Sequence, residues 1–281
     1  MPSESCENLQ VIRKTYEKLV FGWELALKKK KYKNEANVAT NNTKMDYTQK
    51  KYTELMEATG RGDYRLMNNI SKGSILRHDV DKSCSKALKM AKLEAGKKVK
   101  STYYFRVPKT FDAEAIDEIY RLGHEIGYHY EALDKAKGDY KKAIELFKKE
   151  WALFKRWKAK TICMHGNPLT KWDNRDLWKK YDFKKLGVQA EAYLSLDFNK
   201  INYFTDTGRK WNDEKSSAKD KTGSKLAKIN NTDELISKIR KKEVKRFCIL
   251  THPERWNDDI HLWVKELVWQ KAKNVGKRMI K

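Results

Sequence analysis

Short apolar runs alternate with longer amphipathic stretches from about residue 74 onward. The short runs are rich in β-branched and aromatic residues, and the longer stretches repeat their apolar positions at helical spacing. This alternation of strands and helices is typical of a parallel sheet, open or closed. The predicted strands are 74–77, 99–107, 125–130, 161–164, 187–194, 202–205 and 246–250, and the main predicted helices are 82–97, 111–122, 138–158 and 260–279.

The beginning of the chain has a different pattern. Val11, Tyr16 and Trp23 belong to a set of apolar residues at helical spacing, and the basic run 28–33 and a polar stretch follow. We predict a helical, basic N-terminal extension over 1–50 and one α/β domain over 51–281. About 200 residues of alternating strands and helices are enough for a barrel.

Polar residues cluster where the predicted strands end. His78, Asp79 and Asp81 follow the first strand, His129 and Glu131 end the third, His165 follows the fourth, and His252 follows the last. In α/β barrels the carboxyl ends of the strands converge on the face where active sites are built. We therefore expect these separate segments to form one site.

The spacing of these residues indicates metal-dependent hydrolysis. Asp79 and Asp81 are two residues apart, so on an extended chain their carboxylates point the same way. One could hold a metal while the other takes a proton from water, although both could instead cap the helix that begins near Ser83. His129 and Glu131 share a side of their strand, and imidazole with carboxylate suits zinc, with manganese, iron or cobalt as alternatives.

Two further histidines have candidate roles. His165 precedes Gly166 and could bind the metal or the substrate. His252 precedes Pro253, which fixes the turn, and could protonate a leaving group as a general acid. A structural role in the turn is the alternative for His252.

Aromatic residues in polar loops indicate a sugar-binding cleft. Stacking on the faces of sugar rings and hydrogen bonds to hydroxyls are what tryptophans beside polar side chains provide, although each of these tryptophans alone could pack in the core. Asp206 and Arg209 could orient the substrate or pair with each other. The candidate substrate-binding residues are Trp172, Asp206, Arg209, Trp211, Arg255 and Trp256.

The charge of the chain invites a nucleic-acid interpretation that the motifs do not support. The formal charge is +24, from 62 basic and 38 acidic residues, but 49 of the basic residues are lysine and only 13 arginine. No nucleic-acid-binding fingerprint is present, so we predict no specific nucleic-acid partner. The scattered cysteines and the lack of an export signal or apolar span predict a cytoplasmic protein without a membrane span.

Three segments resemble the motifs of a known family. LRHDVDKSCSKALKMAKLEAGKKVKSTYYF, GHEIGYHYE and FCILTHPERW are similar to motifs of the polysaccharide deacetylase family, the carbohydrate esterases with NodB homology, in the variant with DVD. The resemblance implies a distorted (β/α) barrel of about seven strands and metal-dependent removal of acetyl groups from N-acetylated sugars. It also implies Asp79 as general base, Asp81 and His129 as metal ligands, and His252 as general acid.

The sequence departs from this family at one ligand. The usual pattern has a second metal-binding histidine four residues after the first, where this chain has Leu133. Either Glu131 or His165 completes the ligand set, or the metal site is weakened or lost. The sequence therefore predicts a deacetylase of an amino sugar in a polysaccharide or its precursor, with two alternatives: a catalytically silent glycan-binding relative, or a hydrolase of another small amide.

Overall fold

The computed structural model describes residues 45–167, 170–212 and 228–279. Two compact units contain them: Thr53–Glu254, which holds the sheet, and a second unit to which residues 45–52 and the segment from Arg255 onward belong. Apart from residues 45–50, the predicted N-terminal extension lies outside the described residues.

The chain forms nine strands and eight α-helices within the described ranges. The strands are β1 (Gly62–Asp63), β2 (Ile75–Val80), β3 (Val99–Lys100), β4 (Thr102–Phe105), β5 (Glu125–Tyr130), β6 (Thr161–Met164), β7 (Ala190–Glu191), β8 (Asn202–Thr205) and β9 (Phe247–Thr251). The helices are α1 (Gln49–Thr59), α2 (Leu66–Asn69), α3 (Cys84–Gly96), α4 (Ala113–Arg121), α5 (Ala132–Lys135), α6 (Tyr140–Ala152), α7 (Thr232–Arg240) and α8 (Ile260–Met279). Short 3₁₀ helices cover Leu153–Trp157, Asn174–Lys179, Phe183–Leu186 and Pro253–Arg255.

Seven parallel strands form the main sheet, in the order β7-β6-β5-β4-β2-β9-β8. The sheet curls into a half-barrel, which confirms the predicted distorted α/β barrel. Within the described residues β7 and β8 are the two edges of this sheet. From β2 the strands continue in chain order to β7 on one side, and β9 and then β8 lie on the other side of β2, so the open gap of the half-barrel is between β7 and β8. All seven strands run in the same direction, so their carboxyl ends lie along one rim.

The central strands are buried along their whole length. Every residue of β2 and β4 is buried, as is typical of a parallel sheet covered on both faces. The predicted end of the first strand at residue 77 is wrong, because β2 continues through His78 and Asp79 to Val80. These polar side chains are tolerated inside a buried strand because each contacts a polar or charged partner.

Other elements differ from the prediction: the predicted strand 99–107 is split into β3 and β4, and the predicted helix 138–158 is an α-helix only as far as Ala152. The predicted strand 187–194 is reduced to β7, because Glu191 accepts hydrogen bonds from the backbone N–H groups of Tyr193 and Leu194 and turns the chain out of the sheet. Helix α7 was not among the predicted helices. Its signal is present in the sequence, since Leu235, Ile236 and Ile239 are buried at helical spacing.

Side-chain caps fix where several helices begin. Ser83 accepts a hydrogen bond from the backbone N–H of Lys86 at the start of α3, and Asp112 and Asp139 cap α4 and α6 in the same way. Because Ser83 is the cap of α3, Asp79 and Asp81 are not used for that purpose.

Close packing of β5 against its neighbour depends on Gly127. A Cβ atom there would lie 2.8 Å from the backbone oxygen of Thr161 and would also overlap the ring of Tyr104. We expect Gly127→Ala to lower the free energy of unfolding by about 1–3 kcal/mol, measured by urea denaturation. Gly96→Ala is the control, because its added methyl group would meet no atom within 4 Å apart from the adjoining residues and the backbone of its own helix. We expect it to be neutral or slightly stabilising, and equal effects of both changes would contradict this interpretation.

Among the described helices, none combines the length and the apolar composition needed to cross a membrane.

Candidate metal and catalytic site

Four chain segments bring acidic and imidazole groups together at the carboxyl rim of the sheet. Asp79 lies near the end of β2 and Asp81 follows it, His129 lies near the end of β5, His165 follows β6, and His252 follows β9. Parallel strands end at the same edge, so residues far apart in sequence become neighbours. The prediction that these segments form one cluster is confirmed by the distances between their side chains.

Asp81 is at the centre of this cluster. Its Oδ1 lies 3.5 Å from Nε2 of His129 and 3.6 Å from Nε2 of His165, and its Oδ2 lies 3.9 Å from Nε2 of His252. Oδ1 is buried and has no hydrogen-bond partner. Burial by itself raises the pKa of Asp81, but the surrounding imidazoles hold this pKa well below its usual range. Asp81 is therefore a carboxylate with an unused oxygen facing two imidazole nitrogens.

The ring of His129 is oriented by the backbone. Its Nδ1 donates a hydrogen bond to the carbonyl oxygen of Cys163 at 2.9 Å, so its Nε2 faces Asp79 and Asp81. Burial lowers the pKa of His129, but the two carboxylates outweigh it and raise this pKa overall. A backbone carbonyl on Nδ1 is the usual partner of a metal-binding histidine, because it leaves Nε2 free to bind.

His165 is oriented by Glu131. Nδ1 of His165 lies 3.1 Å from Oε2 of Glu131, and the ring lies edge-on to that of His129 with centroids 5.3 Å apart. Burial lowers the pKa of His165. Oε2 of Glu131 accepts a hydrogen bond from Nη2 of Arg106 at 2.6 Å. Burial raises the pKa of Glu131, but His165 and Arg106 overcome this and bring it to about 2, so Glu131 is an anion at neutral pH beside His165.

His252 is held by a buried aspartate. Its Nδ1 donates to Oδ1 of Asp206 at 2.6 Å, and its backbone N–H donates to Oδ2 of the same residue at 3.0 Å. Both residues are buried. Since Nδ1 is engaged, Nε2 is the ring nitrogen that faces Asp81. Asp206, which the sequence marked as a substrate residue, therefore orients His252.

A second group of possible ligands lies deeper in the sheet. Asp79, His129 and Cys163 are all buried, and their ligand atoms lie within 4.8 Å of one another, so this group could hold a metal ion. Arg77 is also buried there: its Nη1 lies 2.7 Å from Sγ of Cys163 and 3.7 Å from Oδ1 of Asp79, and its guanidinium lies over the ring of Tyr193. Burial raises the pKa of the Cys163 thiol well above its usual value.

No protein-family model, curated protein or solved structure matches this chain.

Sequence reasoning missed Arg77 and Cys163, although the alternation of side chains along the strands contains the signal. Arg77 is two residues before Asp79, and Cys163 is two residues before His165. Alternate residues of a strand face the same side, so both could have been placed beside the predicted site.

The predicted sugar-binding residues of the larger unit have varied surroundings. Trp211 is buried, and its Nε1 donates to Oγ1 of Thr232, which is a core contact. Arg209 is also buried, and its backbone N–H donates to the carbonyl oxygen of Asp206, a hydrogen bond of the turn. Trp172 is half-buried, with the ammonium group of Lys171 5.5 Å from its ring centroid.

The other two predicted sugar-binding residues belong to the second compact unit. Arg255 and Trp256 are both buried. Within this unit the Trp256 ring packs edge-on against Tyr47 and Tyr52, with centroids 5.3 and 5.1 Å apart. Trp256 is therefore part of an aromatic core.

His78 and His124 lie outside the cluster around Asp81, and their rings are beside the fully buried carboxylate of Glu94. Nε2 of His78 contacts Oε1 of Glu94 at 2.9 Å, and the hydroxyls of Ser101 and Tyr103 donate to Oε2 at 2.6 and 2.7 Å. His124 accepts from the backbone N–H of Ser101 and donates to the carbonyl oxygen of Ala91. His124 therefore lies in surroundings different from those of His129, whose Nδ1 contacts the carbonyl oxygen of Cys163.

Proposed function

We propose that this protein is a metal-dependent deacetylase of the polysaccharide deacetylase type, which hydrolyses the N-acetyl group of an amino sugar in a polysaccharide or its precursor. The observation that carries the proposal is the convergence of His129, His165 and His252 on Asp81 at the rim of the sheet, with Asp79 beside them. Metal ligands, a candidate base and a candidate acid from separate strand ends are the groups that metal-assisted hydrolysis of an amide requires.

We assign the metal to Asp81, His129 and His165. Carboxylate and imidazole donors suit zinc, and manganese, iron and cobalt are alternatives. Two of the three donor pairs, from the Asp81 oxygen to each imidazole nitrogen, are 3.5 and 3.6 Å apart, close to the roughly 3.4 Å expected between neighbouring donors of a tetrahedral zinc ion. Oδ1 of Asp81 is buried without a hydrogen-bond partner, so its lone pairs are available to coordinate the metal.

The group formed by Asp79, His129 and Cys163 is a less suitable place for a metal ion. The guanidinium of Arg77 already lies against Cys163 and Asp79, and it is fully buried among the rings of the core. A second positive charge at this position would be repelled at short range in a region of low polarity. In this assignment Arg77 has another role, since its Nη1 lies 3.7 Å from Oδ1 of Asp79 as a charge partner of that carboxylate.

The residues divide the reaction between them. A divalent metal, when bound, lowers the pKa of a water molecule and polarises a carbonyl group. The carboxylate of Asp79 takes a proton from the attacking water. Nε2 of His252 delivers a proton to the departing nitrogen, and Asp206 orients that ring through Nδ1. A C–O bond forms, the C–N bond breaks, and acetate and a free amine leave.

Acetate release from N-acetylated sugars tests this function. The purified protein, loaded in turn with zinc, manganese, iron or cobalt, should release acetate, lose the activity on chelation and regain it with metal. If the protein hydrolyses only small cyclic amides, its function is that of another amide hydrolase and not of a deacetylase. Absence of stoichiometric metal, with stability unchanged by chelation, would favour a silent glycan-binding relative.

A pair of variants tests the ligand assignment. We expect His165→Asn to weaken metal binding by more than about 100-fold, because a direct ligand is lost. We expect Cys163→Ala to keep the affinity of the unchanged protein. The measurement is equilibrium metal binding in the presence of a competing chelator. Weakened metal binding in Cys163→Ala, with unchanged binding in His165→Asn, would instead assign the metal to Asp79, His129 and Cys163.

A further inference from the structure

A fixed cation lies at the rim beside the proposed site. Arg106 directly follows β4 and is buried, and its Nη2 donates to Glu131 at 2.6 Å while its Nη1 donates to the backbone oxygen of Asp81 at 3.3 Å. These contacts tie together the ends of β2 and β5. Its Nε is buried without a hydrogen-bond partner.

Lys109 is three residues after Arg106, in the turn that follows β4. It is exposed, and within the described part of the chain its ammonium group has no ion-pair partner. The turn that carries Lys109 is fixed at the rim by the next residue: the hydroxyl of Thr110 donates to the backbone oxygen of Val80, the last residue of β2, at 2.9 Å, and its backbone N–H donates to that of Arg106 at 3.0 Å.

The nearby carboxylates are already engaged by other groups. Asp79 faces Arg77 at 3.7 Å, Glu131 is bonded to Arg106, and Asp81 faces the histidines. Lys109 is thus a cation that the surrounding acidic groups do not compensate by direct contact. An incoming anion would be attracted by Lys109, with the charge of Arg106 adding to the attraction.

We propose that the substrate carries an anionic group, a carboxylate or a phosphate, close to the acetamido group, and that Lys109 binds it. This inference rests on the proposed function, and it narrows the substrate from N-acetylated sugars in general to acidic ones. The site then selects its substrate by charge at the rim, while the residues at the strand ends carry out the reaction.

Three sugars with the same acetamido group test the proposal: neutral N-acetylglucosamine, N-acetylglucosamine 1-phosphate and the carboxylate-bearing N-acetylmuramic acid. Equilibrium binding and acetate release are measured for the unchanged protein, Lys109→Gln and the control Lys160→Gln. Lys160 is an exposed lysine just before β6, at the amino end of the strands.

We expect at least one acidic sugar to bind about tenfold more tightly than the neutral one at low salt, and this advantage to shrink as salt rises. Lys109→Gln should remove most of the advantage, and Lys160→Gln should keep it. Tighter binding of N-acetylmuramic acid would identify the anionic group as a carboxylate, and tighter binding of the 1-phosphate would identify it as a phosphate.

Equal binding of neutral and acidic sugars, or an advantage that survives Lys109→Gln, would overturn the inference. Neither outcome affects the proposed function if acetate is still released. Lys109-dependent binding of an acidic sugar without any acetate release would instead support the anion site and contradict the deacetylase.

Discussion

Replacing Asp79 with asparagine should abolish acetate release while leaving the metal content unchanged. The amide keeps the shape of the side chain but cannot take a proton from water, and loss of a general base lowers kcat by about 10²–10⁴-fold. Asp79 is outside the assigned ligand set, so the metal should stay bound. Metal analysis and initial rates on the same purified sample measure both quantities.

Asp81→Asn is the matched control for this prediction. It replaces an aspartate two residues away with the same amide, but it removes a negative ligand, so we expect metal and activity to be lost together. Thermal unfolding of both variants checks that they remain folded, since the buried Arg77 faces Asp79. Retained turnover in Asp79→Asn would remove Asp79 from the role of base, and loss of metal in that variant would make it a ligand.

Glu94→Gln should lower the free energy of unfolding at neutral pH by about 3 kcal/mol. Burial alone raises the pKa of Glu94, but the charges and hydrogen bonds of His78, His124 and Ser101 bring it down to about 2 from 4.5. A difference of this size corresponds to about 3 kcal/mol of stabilisation by the ionised form. Glutamine cannot carry the charge, and its amide group would face the donors that now point at Glu94.

The stabilisation by Glu94 should depend on pH in a definite direction. A carboxyl group with a lowered pKa in the folded state stabilises the protein above its unfolded pKa of about 4.5, and the contribution disappears as the pH falls from there towards about 2. Urea denaturation at several pH values should therefore give a smaller loss of stability on acidification in Glu94→Gln than in the unchanged protein. Glu114→Gln, at an exposed position of α4, is the control and should change little. Parallel pH profiles for the unchanged protein and Glu94→Gln would contradict the assignment.

The histidines illustrate how far a sequence pattern can be trusted. His129 and His124 are five residues apart and lie in different surroundings, as expected for residues an odd number apart along an extended chain. His165 was placed near the site because it follows a strand. His78 was grouped with the same site, but its ring points instead to Glu94 and Thr251, because neighbouring residues of a strand face opposite sides.

The tryptophans show where the sequence pattern is misleading. Trp211 and Trp256 are in loops that look suited to a sugar, and both are buried in contacts with other residues. A polar neighbourhood in sequence does not determine exposure, because the residues that cover a loop come from distant parts of the chain. Asp206 is a similar case, since its partner His252 is 46 residues away.

The sequence by itself determined the alternation of strands and helices, the parallel sheet and the rim at which the polar residues collect. These follow from local periodicity and from the geometry that parallel strands share. Only the tertiary structure decided that Glu131 supports His165, that Asp206 supports His252, and that Arg77 lies against Asp79 and Cys163. Such pairings depend on distances between side chains of different strands, and those distances are fixed by how the sheet curls and how its core packs.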